Sequence, residues 1–210
     1  ASLPLGSRVA ACFPPGSVVG ITFSIRKFQY NRFDMDELVN CGTISTAQRV
    51  QLTTAVSSRR NILISGGTGA GKTTLLNALT SFIPDDQRIV LIEDINEIQI
   101  DKPNVVRLEA RREQPNMPAV TIADLLPMSL RLRPDRLIVG EVRGGDAYEL
   151  LQALNSGHSG SFSTIHADTT ETAVERLTGC VPQRVAAPDP KPHQGDWVAA
   201  SMLGLGLPSR

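Results

Sequence analysis

Downstream of Arg60 the chain carries short runs of β-branched and aliphatic residues at Asn61 to Ser65, Arg88 to Ile92, Val105 to Glu109, Leu137 to Val139 and Ser161 to His166. Helical patterns fill the intervals at Lys72 to Ser81, Ile122 to Leu132 and Asp146 to Leu154. Strands that alternate with helices predict a mainly parallel sheet covered on both faces, hence an α/β fold. Pro127 falls inside the second helical pattern and is expected to break or kink it, because proline lacks the N–H of the helical ladder and its ring crowds the preceding turn.

Upstream the pattern is different. Arg8 to Cys12, the turn residues Pro14-Pro15-Gly16-Ser17 and the run Val18 to Arg26 predict a β-hairpin. A hairpin alone is marginal in water and needs a further strand or helix over one face, so it reads as the end of a preceding domain. Asp34 to Asn40, with acids at its start and Gly42 after it, predicts a short helix, and Thr46 to Arg59 a longer one with Val50, Ala55 and Val56 apolar. From Cys180 the prolines 182, 188, 190, 192 and 208 interrupt any apolar period. The expected organisation is therefore a remnant of an N-terminal domain (1–30), a linker with helices (31–60), the α/β core (61–180) and an irregular Pro/Gly-rich tail (181–210).

Composition narrows the function classes. The 210 residues hold 21 Lys+Arg against 21 Asp+Glu, a net charge of zero, which argues against a general coat for nucleic acid or an anionic membrane. Of the 21 cations 17 are arginine, the group suited to bidentate grips on phosphate and carboxylate. Cys12, Cys41 and Cys180 lie far apart without metal-ligand spacing, fit a reducing compartment, and read as small buried or incidental residues. No run of 18 apolar residues and no leader-like start is present. The chain opens on Ala1 rather than Met, in keeping with a fragment.

The strongest chemical signal is Gly66-Gly67-Thr68-Gly69-Ala70-Gly71-Lys72-Thr73, which fits GxxxxGK[ST] between a predicted strand and a predicted helix. Its glycines let consecutive N–H groups turn onto an anion at the positive end of the helix. Lys72 is expected to reach the β and γ phosphates, and the Thr73 hydroxyl to hold Mg²⁺ that keeps most of its waters. The loop does not say what becomes of the phosphate.

Two apolar strands end in acids. Arg88 to Ile92 runs into Glu93, Asp94 and Glu97, and Pro134-Asp135-Arg136 leads through Gly140 to Glu141 and Arg143. Carboxylates at the ends of strands beside a phosphate loop suggest that one set organises Mg²⁺ and the other orients and deprotonates water. Glu141 is favoured as the base, with Gly140 leaving room for substrate. Taken singly, each acid reads better as a solvated strand end or helix start. His166 closes the last small-residue strand, either as a donor to the γ-phosphate or as an ordinary satisfied polar residue.

In this order the motifs resemble the traffic ATPases of type II and type IV secretion, most closely the branch serving conjugal transfer and tight-adherence pilus assembly. The resemblance covers about residues 7 to 180. It rests on Gly66 to Thr74 as Walker A, on Glu93, Asp94 and Glu97 as the acidic box, on Arg133 to Gly144 as the Walker B segment, and on Gly157 to Ala167 as the histidine box. It implies a RecA-like motor preceded by an N-terminal α+β domain, working on ATP and Mg²⁺ as a hexamer. Lodging is implied at the cytoplasmic face of a bacterial inner membrane, on a secretion or pilus platform protein, with no sequence-specific nucleic-acid contact.

The resemblance also implies site residues. Gly66, Gly67, Thr68, Gly69, Ala70, Gly71, Lys72, Thr73 and Thr74 bind nucleotide. Glu141, Glu93, Asp94, Glu97, His166, Arg26 and Arg143 are catalytic, and Thr73, Glu93 and Glu141 serve Mg²⁺, partly through water. Arg26, in Ser24-Ile25-Arg26-Lys27-Phe28, is the first candidate for neutralising transition-state charge from a domain junction, followed by Arg107, Arg112, Arg133 and Arg143. Where the familiar pattern stops, beyond Thr178, a shifted or truncated end is implied. A non-catalytic nucleotide-binding module or inactive paralogue is the alternative, and a small-molecule kinase a remote third.

Overall fold

A computed structural model describes residues 7–27, 33–155, 157–179 and 197–201. They fall into two units, divided between Arg32 and Phe33. The first is the hairpin. β1 (Arg8–Cys12) pairs antiparallel with β2 (Thr22–Arg26), from Arg8 opposite Arg26 to Cys12 opposite Thr22. Every residue of β2 is exposed, and Val18, Val19, Ile21 and Phe23 are each 66% exposed or more, so the hairpin has no core of its own.

The second unit is built on a six-stranded sheet ordered β5-β4-β6-β7-β3-β8, with every pair parallel. Its strands are β3 (Asn61–Ser65), β4 (Ile89–Glu93), β5 (Val105–Glu109), β6 (Arg136–Val142), β7 (Phe162–Ile165) and β8 (Trp197–Ser201). Because successive side chains point to opposite faces, Ile62 and Ile64 of β3 enter one core and Leu63 the other. The first core lies under α1 (Met35–Asn40), α2 (Thr46–Ser57) and α3 (Lys72–Thr80). The second lies under α4 (Ile122–Leu130), α5 (Asp146–Asn155) and α6 (Thr170–Gly179). β3 and β4 are buried along their whole length, as strands between two helical layers must be.

Several expectations change. Residues 33–60 are not a linker: Met35, Leu38, Ile44, Leu52, Ala55 and Val56 are core residues, and α1 and α2 complete one helical layer. α6, absent from the sequence reading, is held by Ala173 and Leu177, one turn apart and both buried. Within 181–210, Trp197–Ser201 is not irregular. It forms β8 and extends the sheet beside β3, Asn61 opposite Trp197, because an edge strand needs only a short run free of proline. The rest of that tail, and Cys180, lie outside the described residues. Pro127 does not end α4, since its ring lies on the exposed face and the helix costs only the bond to Ala123. Cys12 and Cys41 are exposed rather than buried.

The sheet edge where the strands begin is braced by Arg136, only 1% exposed. Its Nε donates to Gln87 Oε1 (2.6 Å), Nη1 to the Gly160 carbonyl (3.2 Å) and Nη2 to the Val56 carbonyl (3.0 Å). Burial, with Arg59 nearby, lowers its pKa to about 10. Asn61 Oδ1 accepts from the N–H groups of both Gly160 and Ser161, so the same segment is tied to β3.

Candidate active site

The opposite edge gathers the chemistry. In the order β4, β6, β7, β3, the strand ends carry Glu93 and Asp94, then Glu141, then His166, then Gly66. In open parallel sheets this carboxyl edge is where ligands bind.

The glycine loop leads into α3 with Gly69 at φ 76° and Gly71 at φ 92°, the left-handed region in which a side chain is strained. α1, α2 and α4 each begin with a capping box, whereas α3 has no side-chain cap. Its first helical bond runs from Leu75 N to Gly71 O, so the N–H groups of Lys72, Thr73 and Thr74 donate to no acceptor among the described residues. Free donors at a helix start, beside a loop that leaves open space around Gly67 and Gly69, fit a phosphate chain. Lys72 Nζ donates to the carbonyls of Gly66 and Gly67, both at 2.8 Å. Burial lowers its pKa, and the nearby Glu141 charge offsets this in part, which ties the β6 carboxylate to the loop electrostatically.

Glu141 sits on a bulge. Val139 pairs with Ser163 and Val142 with Ile165, leaving Gly140 and Glu141 opposite the single residue Thr164, whose Oγ1 donates to the Gly140 carbonyl at 2.7 Å. Such an irregularity re-aims a side chain at a strand end. Arg143 grips the carboxylate through Nε at 2.9 Å and through Nη2, and its Nη1 stands 3.5 Å from Asp94 Oδ2. The pairing raises the arginine's pKa. Gly140 does not leave room for substrate: a Cβ there would meet Glu93 Cγ at 3.2 Å, so Glu93 fills that space.

Glu93 differs from the other acids. It is 5% exposed, and its Oε1 accepts from the backbone of Glu97 (2.9 Å) and Ile98 (2.8 Å). Burial raises its pKa to about 7 against the opposing pull of those bonds and of Arg107. So enclosed, the Glu93 carboxylate meets the backbone of its own loop rather than bulk solvent. Among the described residues no three His, Cys, Asp or Glu side chains form a metal cage. Mg²⁺ would fit through the half-buried Thr73 hydroxyl, phosphate oxygens and water.

A family model described as type II/IV secretion system protein matches residues 6–187. The chain belongs to that family. It is similar to the conjugal transfer protein TrbB of Rhizobium radiobacter, 43% identical over 179 residues, covering 83% of this chain and 53% of that protein. Among solved structures it is similar to the VirB11 ATPase of the Brucella suis type IV secretion system in complex with sulphate. There the TM-score is 0.55 at 34% identity, over 85% of this chain and 58% of that one. The pilus retraction motor PilT with bound ADP shares the fold, with TM-score 0.62 at 21% identity over 83% and 51% of the two chains. The α/β unit is thus RecA-like. The chain spans between 24% and 60% of the length of the curated relatives it matches.

The remaining candidates of this secretion-family chain differ in setting. His166 is exposed at the end of β7, and its carbonyl accepts from Arg176 Nη1 at 2.6 Å. Asp94 is exposed and Glu97 half-buried on the loop after β4. Arg26 is exposed at the end of β2 in the hairpin unit. Arg112 is exposed on an excursion whose arms bridge at Arg111 with Val120, and Arg133 precedes β6 at the opposite sheet edge. Sequence reasoning missed Asn77, whose Oδ1 accepts from Gln99 N at 3.0 Å and links α3 to the acidic loop. It also missed the bulge, although a glycine within a strand is the signal for one.

Proposed function

We propose that this chain is the nucleotide-binding part of a secretion-type motor that hydrolyses ATP to ADP and phosphate, to drive conjugal transfer, protein secretion or pilus assembly. The observation that carries the reading is the row of carboxylates and histidine beside an uncapped glycine loop on one sheet edge. The loop N–H groups and Lys72 bind the phosphates, with Lys72 exchanging its two carbonyl acceptors for phosphate oxygens. Glu141 takes a proton from the attacking water. Asp94 and Glu97 orient that water, Arg143 balances the charge of the acids, and His166 donates to the γ-phosphate. Magnesium, held by Thr73 and through water by Glu141, would supply charge neutralisation on the phosphates.

At the level of the whole protein we place it in a hexameric ring at the cytoplasmic face of a bacterial inner membrane, docked on a platform protein. Arg26 is then the first candidate for neutralising transition-state charge. Support comes from the family match; among the described residues no helix is long and apolar enough to cross a membrane.

The test is ATP binding and steady-state turnover, with sizing, for the wild-type chain and Glu141→Gln. Retained binding with turnover lowered by about 10² to 10⁴ is expected of a lost base. Unchanged turnover removes Glu141 from that role. A monomer that binds ATP without turnover supports the non-catalytic module instead, and a wild-type chain that binds no ATP overturns both.

A further inference from the structure

We infer that Thr164 is a positioning residue for Glu141: its buried hydroxyl holds the Gly140 carbonyl and so fixes the peptide from which the Glu141 side chain leaves the sheet. What the carboxylate is positioned to do rests on the reading of Glu141 as the base given above.

Thr164 stands on β7 between two strands. On one side it is the register partner of Ile64 on β3, two residues before Gly66 opens the glycine loop. On the other it faces the bulge of β6, where Gly140 and Glu141 lie opposite this one residue. A bulge interrupts the regular ladder of backbone bonds. Here Thr164 Oγ1 donates to the Gly140 carbonyl at 2.7 Å. Thr164 is 3% exposed, so a carbonyl that loses this donor has little water to turn to.

The carbonyl matters because of what is bonded to it. A peptide unit is planar, so the Gly140 carbonyl and the N–H and Cα of Glu141 turn together. Glycine restrains its own dihedrals less than any other residue. At 140 a side chain is disfavoured, since a Cβ would meet Glu93 Cγ at 3.2 Å and Ile98 Cδ1 at 3.6 Å. The plane before Glu141 therefore takes its orientation from neighbouring groups, and the Thr164 hydroxyl grips it directly.

That plane sets where the acid points. Glu141 Oε2 accepts from Arg143 Nε at 2.9 Å, and its charge is felt at Lys72 in the glycine loop. A general base must lie within about 3 Å of the proton it takes, and a misplacement of about 1 Å can cost about hundredfold in rate. The Thr164 proton is committed to Gly140, so Thr164 acts through Glu141 rather than on the nucleotide.

Thr164→Val keeps the shape and removes the donor; Thr164→Ser keeps the donor and removes the methyl group. Steady-state ATP kinetics and the Arg143 Nε–H resonance, read by NMR without nucleotide, are followed in both. We expect Thr164→Val to lower kcat by about tenfold or more with KM changed less than about threefold, and to shift the Arg143 resonance. Thr164→Ser should keep kcat within about threefold of wild type and leave the resonance in place. A Thr164→Val chain with wild-type kcat overturns the inference, as does equal loss in the two variants, which would place the effect in packing. A raised KM at unchanged kcat would make the hydroxyl a nucleotide contact and overturns it too. Should Thr164→Val not fold, Thr164→Ala is read in the same way, and a Thr164→Ser chain that loses kcat overturns the inference by itself. The resonance needs no nucleotide. In a wild-type chain inert toward ATP the ATPase reading fails, while an Arg143 resonance unmoved by Thr164→Val overturns the positioning and one that moves upholds it.

Discussion

Arg143 joins the acidic ends of two strands: it holds Glu141 through Nε and Nη2 while its Nη1 stands 3.5 Å from Asp94. The guanidinium is two-thirds exposed, so solvent screens it and its worth to folding is small. In the mechanism we propose, its part is to keep two carboxylates together next to a polyanion. Arg143→Met is expected to lower kcat by about tenfold or more. Arg143→Lys should recover only part, because a single ammonium does not span both acids. Steady-state kinetics of the two variants check this, and a fully active Arg143→Met would show the contact to be incidental.

Among the described residues Lys72 donates its hydrogen bonds to the loop carbonyls of Gly66 and Gly67. Lys72→Ala should therefore weaken ATP binding by about tenfold or more while moving the urea midpoint little. Titration with a fluorescent ATP analogue and an unfolding curve separate the two effects. Undiminished affinity would contradict the phosphate assignment.

Glu93 yields a pH dependence whose sign follows from its raised pKa. The folded chain binds the proton up to about pH 7, the unfolded chain only to about 4.5, so folding takes up a proton in that window. Its contribution is most favourable below pH 4.5, is lost as the pH rises to about 7, and is constant above, with an upper size of about 3 kcal/mol. Glu93→Gln resembles the protonated form at every pH. The stability difference between Glu93→Gln and wild type should therefore shift in favour of the variant between pH 5 and 8 in urea titrations. A difference independent of pH would place the carboxyl in a solvent-like setting.

The parts of this fold legible in the sequence are those that local rules determine. The strands of the two-sided sheet stand out because Ile62, Leu63 and Ile64 all need burial, and the glycine loop because its spacing has one mechanical use. α1 and α2 are legible as helices but not as part of the core, because which side of a short helix is covered depends on elements far along the chain. The arginines show the same limit. Composition pointed them at phosphate, yet Arg136 spends its donors on Gln87, Gly160 and Val56 at the edge away from the loop, and Arg107 serves the acidic segment. Nothing in local pattern distinguishes a guanidinium that braces carbonyls from one that meets an anion; that is decided by which strand starts and which strand ends nearby.

Gly160 and Gly157 offer a matched pair for measuring that brace. Both have positive φ, +85° and +96°, so alanine is strained at either by about 1–2 kcal/mol. Around Gly157 nothing lies within 4 Å of an added Cβ, whereas at Gly160 it would fall 2.2 Å from Arg136 Nη1 and 2.9 Å from Cζ. That guanidinium cannot swing aside, because three acceptors hold it and it is 1% exposed. Displacing it would leave buried carbonyls and a buried cation without partners, a loss of about 3 kcal/mol or more. Gly157→Ala should therefore cost about 1–2 kcal/mol in urea unfolding and Gly160→Ala about 4 kcal/mol or more. Whatever fraction of Gly160→Ala folds should keep its ATP affinity, since the brace stands at the opposite sheet edge from the loop. Equal losses in the two variants would mean that the Arg136 contacts yield without cost.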